Sequence, residues 1–196
     1  MLIHAPWTAV PGLRHAFLDR RESAGPARVD AAGGGGPLPV AIPRQVHGTR
    51  VVTADCVPVL LVDPARRVAA AVHAGWRGTA AGVLEAALGH LEAAYGTGPQ
   101  DLHAAVGPAI GGCCFEIGPE VIDALRARTG ELTAAAWLPR PGRWHVDLRQ
   151  AVRLLLAAAG VQATMLGPCT ACDGRFHSYR RDGAGAGRQL SFVGWA

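Results

Sequence analysis

A single α/β domain in which strands and helices interleave is what this sequence predicts, and three observations carry that reading. The chain has 196 residues, the length of one domain with a well-filled core. Hydrophobic residues make up 49% and charged residues 17%, enough apolar side chain to offset the chain entropy that keeps disordered sequences open. The 26 Gly and 14 Pro fall mostly between apolar segments and follow no collagen-like period, so they punctuate a compact, loop-rich fold.

Residues 1–40 are weakly patterned and end in the flexible tract Gly33-Gly34-Gly35-Gly36. The run VPVLLV at 57–62 reads as a buried strand, and residues 68–72 as another, joined by a polar Asp63-Pro64 turn. From 78 to 95, Val83, Leu84, Ala87, Leu88, Leu91 and Tyr95 recur at three- and four-residue spacing, which predicts one helix closed by Gly96. Residues 102–106 suggest a short strand. Residues 119–128 suggest a helix with Pro119 in its first turn, where the missing N–H matters least, and Gly130 ends it. Asp147 can cap a further helix bearing Leu148, Ala151, Val152, Leu155 and Leu156 on one side. Gly160 stops that helix, residues 163–166 resemble a strand, and the closing LSFVGW can add a last one. No internal repeat is visible.

Composition also excludes some functions. All 19 basic residues are Arg, so lysine catalysis is out, and a net charge of +4 without a long basic stripe argues against a nucleic-acid partner. Five Cys is an odd number, two of them are adjacent, and the N-terminus has no basic start followed by a long apolar stretch, so a reduced, cytoplasmic protein is expected. The longest uncharged run, 154–172, is broken by Gly160, Gln162, Gly167 and Pro168, which argues against a membrane span.

The chemistry-bearing residues concentrate in RQVHGTRVVTADCVPVLL, with His47, Asp55 and Cys56, and VAAAVHAGWRGTAAG, with His73, Trp76 and Arg77. Two imidazoles and a thiolate with a fourth position open to water describe a catalytic zinc site. The separations of nine and seventeen residues match no finger or ribbon, so that reading needs the strands to gather the side chains. Two alternatives use the same residues: hydrogen-bonded histidines with a buried small Cys56, or a Cys56 nucleophile with a histidine base. Arg77 can hold an anion such as phosphate or stack on Trp76. Arg180 and Arg181, with Arg188 beyond, suit a phosphate or ribose and equally a salt-bridged turn. The GPAIGG stretch at 107–112 lacks the Gly-Lys-Ser/Thr of a nucleoside-triphosphate site. Cys169 and Cys172 have CxxC spacing for zinc or redox exchange, but adjacent Cys113 and Cys114 make a poor second pair. Glu116 is a possible acid or base.

In order, QVHG, TADCVPVLL, HAGWRG, GPAIG, FEIGPEV, CT and SYRRDG with GRQLSF resemble the YfiH-like family, also called the peptidoglycan editing factor, laccase-domain or polyphenol oxidase family. The resemblance implies a compact layered α/β (α+β) domain of mixed sheet and helices. It implies zinc, with copper as the alternative, on His47, Cys56 and His73, which would also be the catalytic residues, with Arg77, Arg180 and Arg181 for substrate or phosphate. It further implies phosphorolysis of adenosine, inosine and methylthioadenosine to base and ribose 1-phosphate, together with adenosine deamination, by a monomer or small homo-oligomer. Peptidoglycan-editing cysteine hydrolysis, copper-dependent phenol oxidation and a non-catalytic relative are the alternatives; blue-copper oxidation wants an axial ligand and further histidine clusters that this sequence does not show. The family usually carries a longer segment between QVHG and TADC, whereas eight residues separate His47 from Cys56 here, so the two must meet across a tight hairpin at 48–50.

Overall fold

The computed structural model describes residues 1–22 and 49–195. At its centre lies a four-stranded sheet in the order β4-β3-β5-β9, formed by β3 (Val57–Asp63), β4 (Val68–Ala74), β5 (His103–Val106) and β9 (Gln162–Met165). All seven residues of β3 are buried because the strand is covered on both faces. Val57, Val59 and Leu61 enter a core shared with Leu84, Leu88, Leu91, Leu125, Val152 and Leu156, while Leu60 and Val62 enter a second core with Trp7, Leu13, Phe17 and Val193. A strand with two buried faces has no polar side to alternate, which explains the unbroken apolar run VPVLLV.

The second core is closed by another sheet, ordered β1-β10-β2, in which β10 (Gln189–Trp195) lies antiparallel between β1 (Leu13–Phe17) and β2 (Arg50–Thr53). The predicted final strand is therefore central to its sheet. The weakly patterned N-terminal region supplies β1, whose short run LRHAF carries too little periodicity to announce a strand. The Gly33–Gly36 tract lies outside the described residues. A third sheet, β6-β8-β7, joins β6 (Glu116–Ile117) to the hairpin of β7 (Trp137–Arg140) and β8 (Arg143–Val146), which turns at Gly142 with φ +68°. The layered mixed-sheet expectation holds.

The predicted helix over 78–95 is two helices, α1 (Trp76–Ala80) and α2 (Val83–Tyr95). The break falls at Gly82, whose φ of +83° lies in the left-handed region, and the Arg128 guanidinium occupies the space a side chain there would need. Gly96 closes α2 in the same conformation, as expected. Helix α3 (Pro119–Thr129) starts on its proline, and in α4 (Leu148–Ala158) the Asp147 carboxylate accepts the Gln150 N–H at 3.1 Å, the expected cap. The turn after β3 is fixed by buried Asp63, whose carboxylate accepts bonds from the Ala65 and Arg66 N–H groups, the Arg66 guanidinium and the Thr97 hydroxyl.

Buried titratable groups give the fold an acid limit. The His4 N–H donates to His15 Nε2 at 3.0 Å, and burial pushes both imidazoles below their ordinary value of 6.5. As pH falls through that value the unfolded chain binds the proton first, so stability is lost on acidification. Burial alone would raise Asp63, but the hydrogen bonds from Arg66, Thr97 and Ala65 outweigh it and hold the carboxyl below the usual carboxylate range. Its contribution, present above the unfolded carboxylate value, disappears only in stronger acid. Urea midpoints should therefore fall from about pH 7 to about pH 5 and again below about pH 4. A flat profile from neutrality to pH 5 would contradict this.

Candidate functional site

Cys56 is the residue just before β3, and His73 is the penultimate residue of β4. The antiparallel register pairs Val57 with Ala74 and Pro58 with His73, so the start of β3 and the end of β4 share one edge of the sheet. There the two side chains converge: a Cβ placed on Gly75 would stand 3.0 Å from Cys56 Sγ and 3.9 Å from His73 Nε2. A side chain at residue 75 would crowd the thiol and stand in van der Waals contact with the imidazole, so glycine keeps that space open.

The chain enters this point through Asp55, which has a φ of +78°. A left-handed residue here reverses β2 into β3, and Asp tolerates that conformation better than most side chains. Residue 48 of the tight hairpin expected at 48–50 lies outside the described residues; of the others, the Thr49 carbonyl accepts the Val193 N–H and Arg50 opens β2. His47 lies outside the described residues.

The sequence places Asp55 among the chemistry-bearing residues without giving it a role, and the structure supplies one. Its carboxylate accepts the Thr170 hydroxyl at 2.7 Å and the Arg180 backbone N–H at 2.6 Å, and its carbonyl accepts the Ile110 N–H at 3.0 Å. The residue beside Cys56 thus ties together the loops at Ile110 and Thr170 and the helical turn Tyr179–Asp182. The Arg180 guanidinium donates to the carbonyls of Cys114 and Glu116, while Arg181 donates to those of Thr170 and Phe176 and pairs with Asp182. These two arginines, expected at phosphate, spend these donors on the loops around the site. The exposed Arg77 stacks over the Trp76 ring at 4.2 Å. The Glu116 carboxylate is bridged to Arg143 at 3.1 Å.

Burial pushes the Cys56 thiol up, the Asp55 charge adds to this, and the Arg188 charge opposes it. Burial also lowers His73, and Arg188 lowers it further. The pocket therefore favours a neutral imidazole, the form that ligates a metal, and disfavours a bare thiolate–imidazolium pair. Arg188 is exposed, and its charge reaches both groups.

A second concentration of sulfur lies nearby in the chain's connections. Cys113, Cys114, Cys169 and Cys172 place their sulfurs within 4.8 Å of one another, so this cluster has the donors to hold a metal ion. Adjacency had made Cys113-Cys114 look a poor partner for the CxxC pair. The structure reverses that, because the N–H groups of Cys114 and Phe115 both reach the Gly111 carbonyl and fold residues 111–115 into a tight turn. Parallel pairing of β5 with β9 brings the loops after these strands together, with Ala109 bridged to Cys169. Separation along the chain hid a proximity that sheet order creates.

Two cores sharing one central strand, with a cysteine and a histidine gathered at its edge, define a layered α/β protein with a thiol–imidazole pocket. Residues 40–196 match the family described as multi-copper polyphenol oxidoreductase laccase, and the chain belongs to that family. It is 39% identical over 150 residues to purine nucleoside phosphorylase YlmD of Geobacillus stearothermophilus, covering 72% of this chain and 53% of the relative. It is 34% identical over 241 residues to a purine nucleoside phosphorylase of Deinococcus radiodurans, covering 98% and 92%. A protein named adenosine deaminase RL5, from an unknown prokaryotic organism, is 39% identical over 148 residues, covering 73% and 56%. Among solved structures, YfiH of Bacillus licheniformis superposes with a TM-score of 0.70 at 36% identity, covering 75% of this chain and 57% of that one. The chain thus spans about half the length of YlmD and nearly all of the Deinococcus relative.

Proposed function

We propose that this chain is a cytoplasmic purine nucleoside phosphorylase with adenosine deaminase activity, acting on adenosine, inosine and methylthioadenosine through Cys56, His73 and His47. The observation that carries the reading is the convergence of Cys56 Sγ and His73 Nε2 on the space kept open by Gly75. A thiolate and imidazoles are the donors zinc prefers, so Cys56 and His73, with His47 as third ligand, would hold it. When bound, zinc supplies Lewis acidity for activating water or polarising a substrate group. The names of the relatives support the substrate class.

The chain's own residues account for the rest. In phosphorolysis a phosphate oxygen bonds to the sugar C1′, the bond from C1′ to the purine nitrogen breaks, and the departing base takes up a proton. Arg188 places positive charge beside Cys56 and His73, which favours a phosphate dianion there, and Arg77 is the second cation assigned to it by this reading. Arg180 and Arg181 serve the same site by holding the loops that frame it. Five free cysteines suit a reducing compartment, and no described helix is long and apolar enough to cross a membrane. Purified protein supplied with zinc, adenosine and inorganic phosphate should yield adenine with ribose 1-phosphate, and inosine from deamination. Recovery of unchanged adenosine would overturn the proposal.

A further inference from the structure

We infer that Cys113, Cys114, Cys169 and Cys172 form a second metal site, a tetrathiolate centre for one structural zinc ion that braces the loops around the Cys56–His73 pocket. The inference concerns different atoms from the nucleoside reading and stands without it.

The spacing of the sulfurs is the first support. Zinc–sulfur bonds of about 2.3 Å in a tetrahedron set neighbouring sulfurs roughly 3.8 Å apart. Here Cys114 Sγ lies 3.3 Å and Cys113 Sγ 3.6 Å from Cys172 Sγ, and all four lie within 4.8 Å of one another. That is compact enough to surround one ion and too compact to enclose an iron–sulfur cluster, whose irons and sulfides would occupy the middle. Four thiolates are also a donor set that selects zinc over harder cations.

The backbone supplies the second support. The Gly111 N–H donates to Cys169 Sγ at 3.1 Å, a bond that strengthens with charge on the sulfur and so favours the ligating form. The N–H groups of Cys172 and Asp173 both reach the Cys169 carbonyl, which coils the CTAC segment so that its two sulfurs face one side. A Cβ on Gly111 would stand 3.2 Å from Cys169 Cβ and 3.4 Å from Cys113 Sγ, so glycine lets the two loops close on each other. The outer shell that orients metal ligands is thus present before any ion binds. On binding, each ligating thiol gives its proton to solvent, and no electron is transferred.

The position explains what the ion would do. It would join two loops far apart in sequence, Cys172 lying 59 residues beyond Cys113 and 58 beyond Cys114. Thr170, between the CxxC cysteines, donates to Asp55, and the Cys114 carbonyl receives the Arg180 guanidinium. The cluster is therefore one bond network away from the residue that precedes Cys56.

Metal content separates this site from the catalytic one. In a Cys56→Ser/His73→Ala double variant, elemental analysis should still find one zinc per chain, and adding Cys172→Ser should remove it. Because the triple variant can lose metal by failing to fold, the double variant is also titrated with cobalt(II). One equivalent should produce the intense visible and near-ultraviolet absorption of a tetrathiolate site, and zinc should displace it. Zinc should likewise slow the reaction of these four thiols with a thiol-specific reagent. A double variant that holds no zinc, shows no thiolate absorption with cobalt and has thiols equally reactive with and without zinc overturns the inference. Loss of adenosine turnover in that variant bears only on the pocket, so the two readings fail separately.

Discussion

Replacing His73 with alanine is expected to lower kcat/KM for adenosine phosphorolysis by about a thousandfold while leaving the protein folded. Removing a group that ligates a metal or handles a proton at the reacting centre removes about 10²–10⁴ in rate, or roughly 3–5 kcal/mol of transition-state stabilisation. The structural loss is smaller. His73 sits near the end of β4, partly exposed, and its strand is held by backbone pairing along the whole of β3. A destabilisation of about 1 kcal/mol is expected, the middle of the range for single substitutions. Steady-state kinetics beside urea unfolding separates the two effects. Turnover within a few-fold of the unaltered protein would remove His73 from the centre.

Asp55 should show the second large effect, with a definite order among substitutions. Asp55→Ala removes the acceptors of the Thr170 hydroxyl and the Arg180 N–H, and it places alanine at φ +78°. Left-handed strain of about 1–2 kcal/mol adds to the loss of two charge-assisted bonds of roughly 1.5–3 kcal/mol each, partly recovered by water. A net destabilisation of about 3 kcal/mol is expected, with a large fall in kcat because Cys56 is the next residue. Asp55→Asn tolerates the same backbone conformation and keeps one acceptor, so it should lie between alanine and the unaltered protein in both stability and kcat. Equal effects from Asn and Ala would mean that carboxylate charge alone matters. No effect from either would mean that the network does not position Cys56.

The parts of this architecture that local chemistry specifies were legible in the sequence. VPVLLV announced β3 because a doubly covered strand must be apolar throughout, and Asp147, Pro119 and Gly96 marked helix ends because caps are local devices. Gly82 falls inside the stretch 78–95 that reads as one helix because the apolar period begins only at Val83 and a glycine's left-handed conformation leaves no mark on it. Strand β1 was hidden because its partner, β10, lies at the other end of the chain. The site shows the same division. Cys56 and His73 were identified as residues of interest from their types and motifs, but their meeting depends on the register of β3 against β4. The cysteine cluster depends on the parallel placement of β5 beside β9, and no spacing rule encodes that. Asp55 looked like an ordinary acid until its bonds to Thr170 and Arg180 gave it a role.

An anomalous-difference map at the zinc edge, from crystals grown with zinc, decides whether Cys56 and His73 share one ion. The map should show a peak bounded by Cys56 Sγ at about 2.3 Å and His73 Nε2 at about 2.0–2.1 Å, with His47 as the third protein ligand. A map with no peak between Cys56 and His73, whether or not the cysteine cluster holds one, would contradict a shared ion.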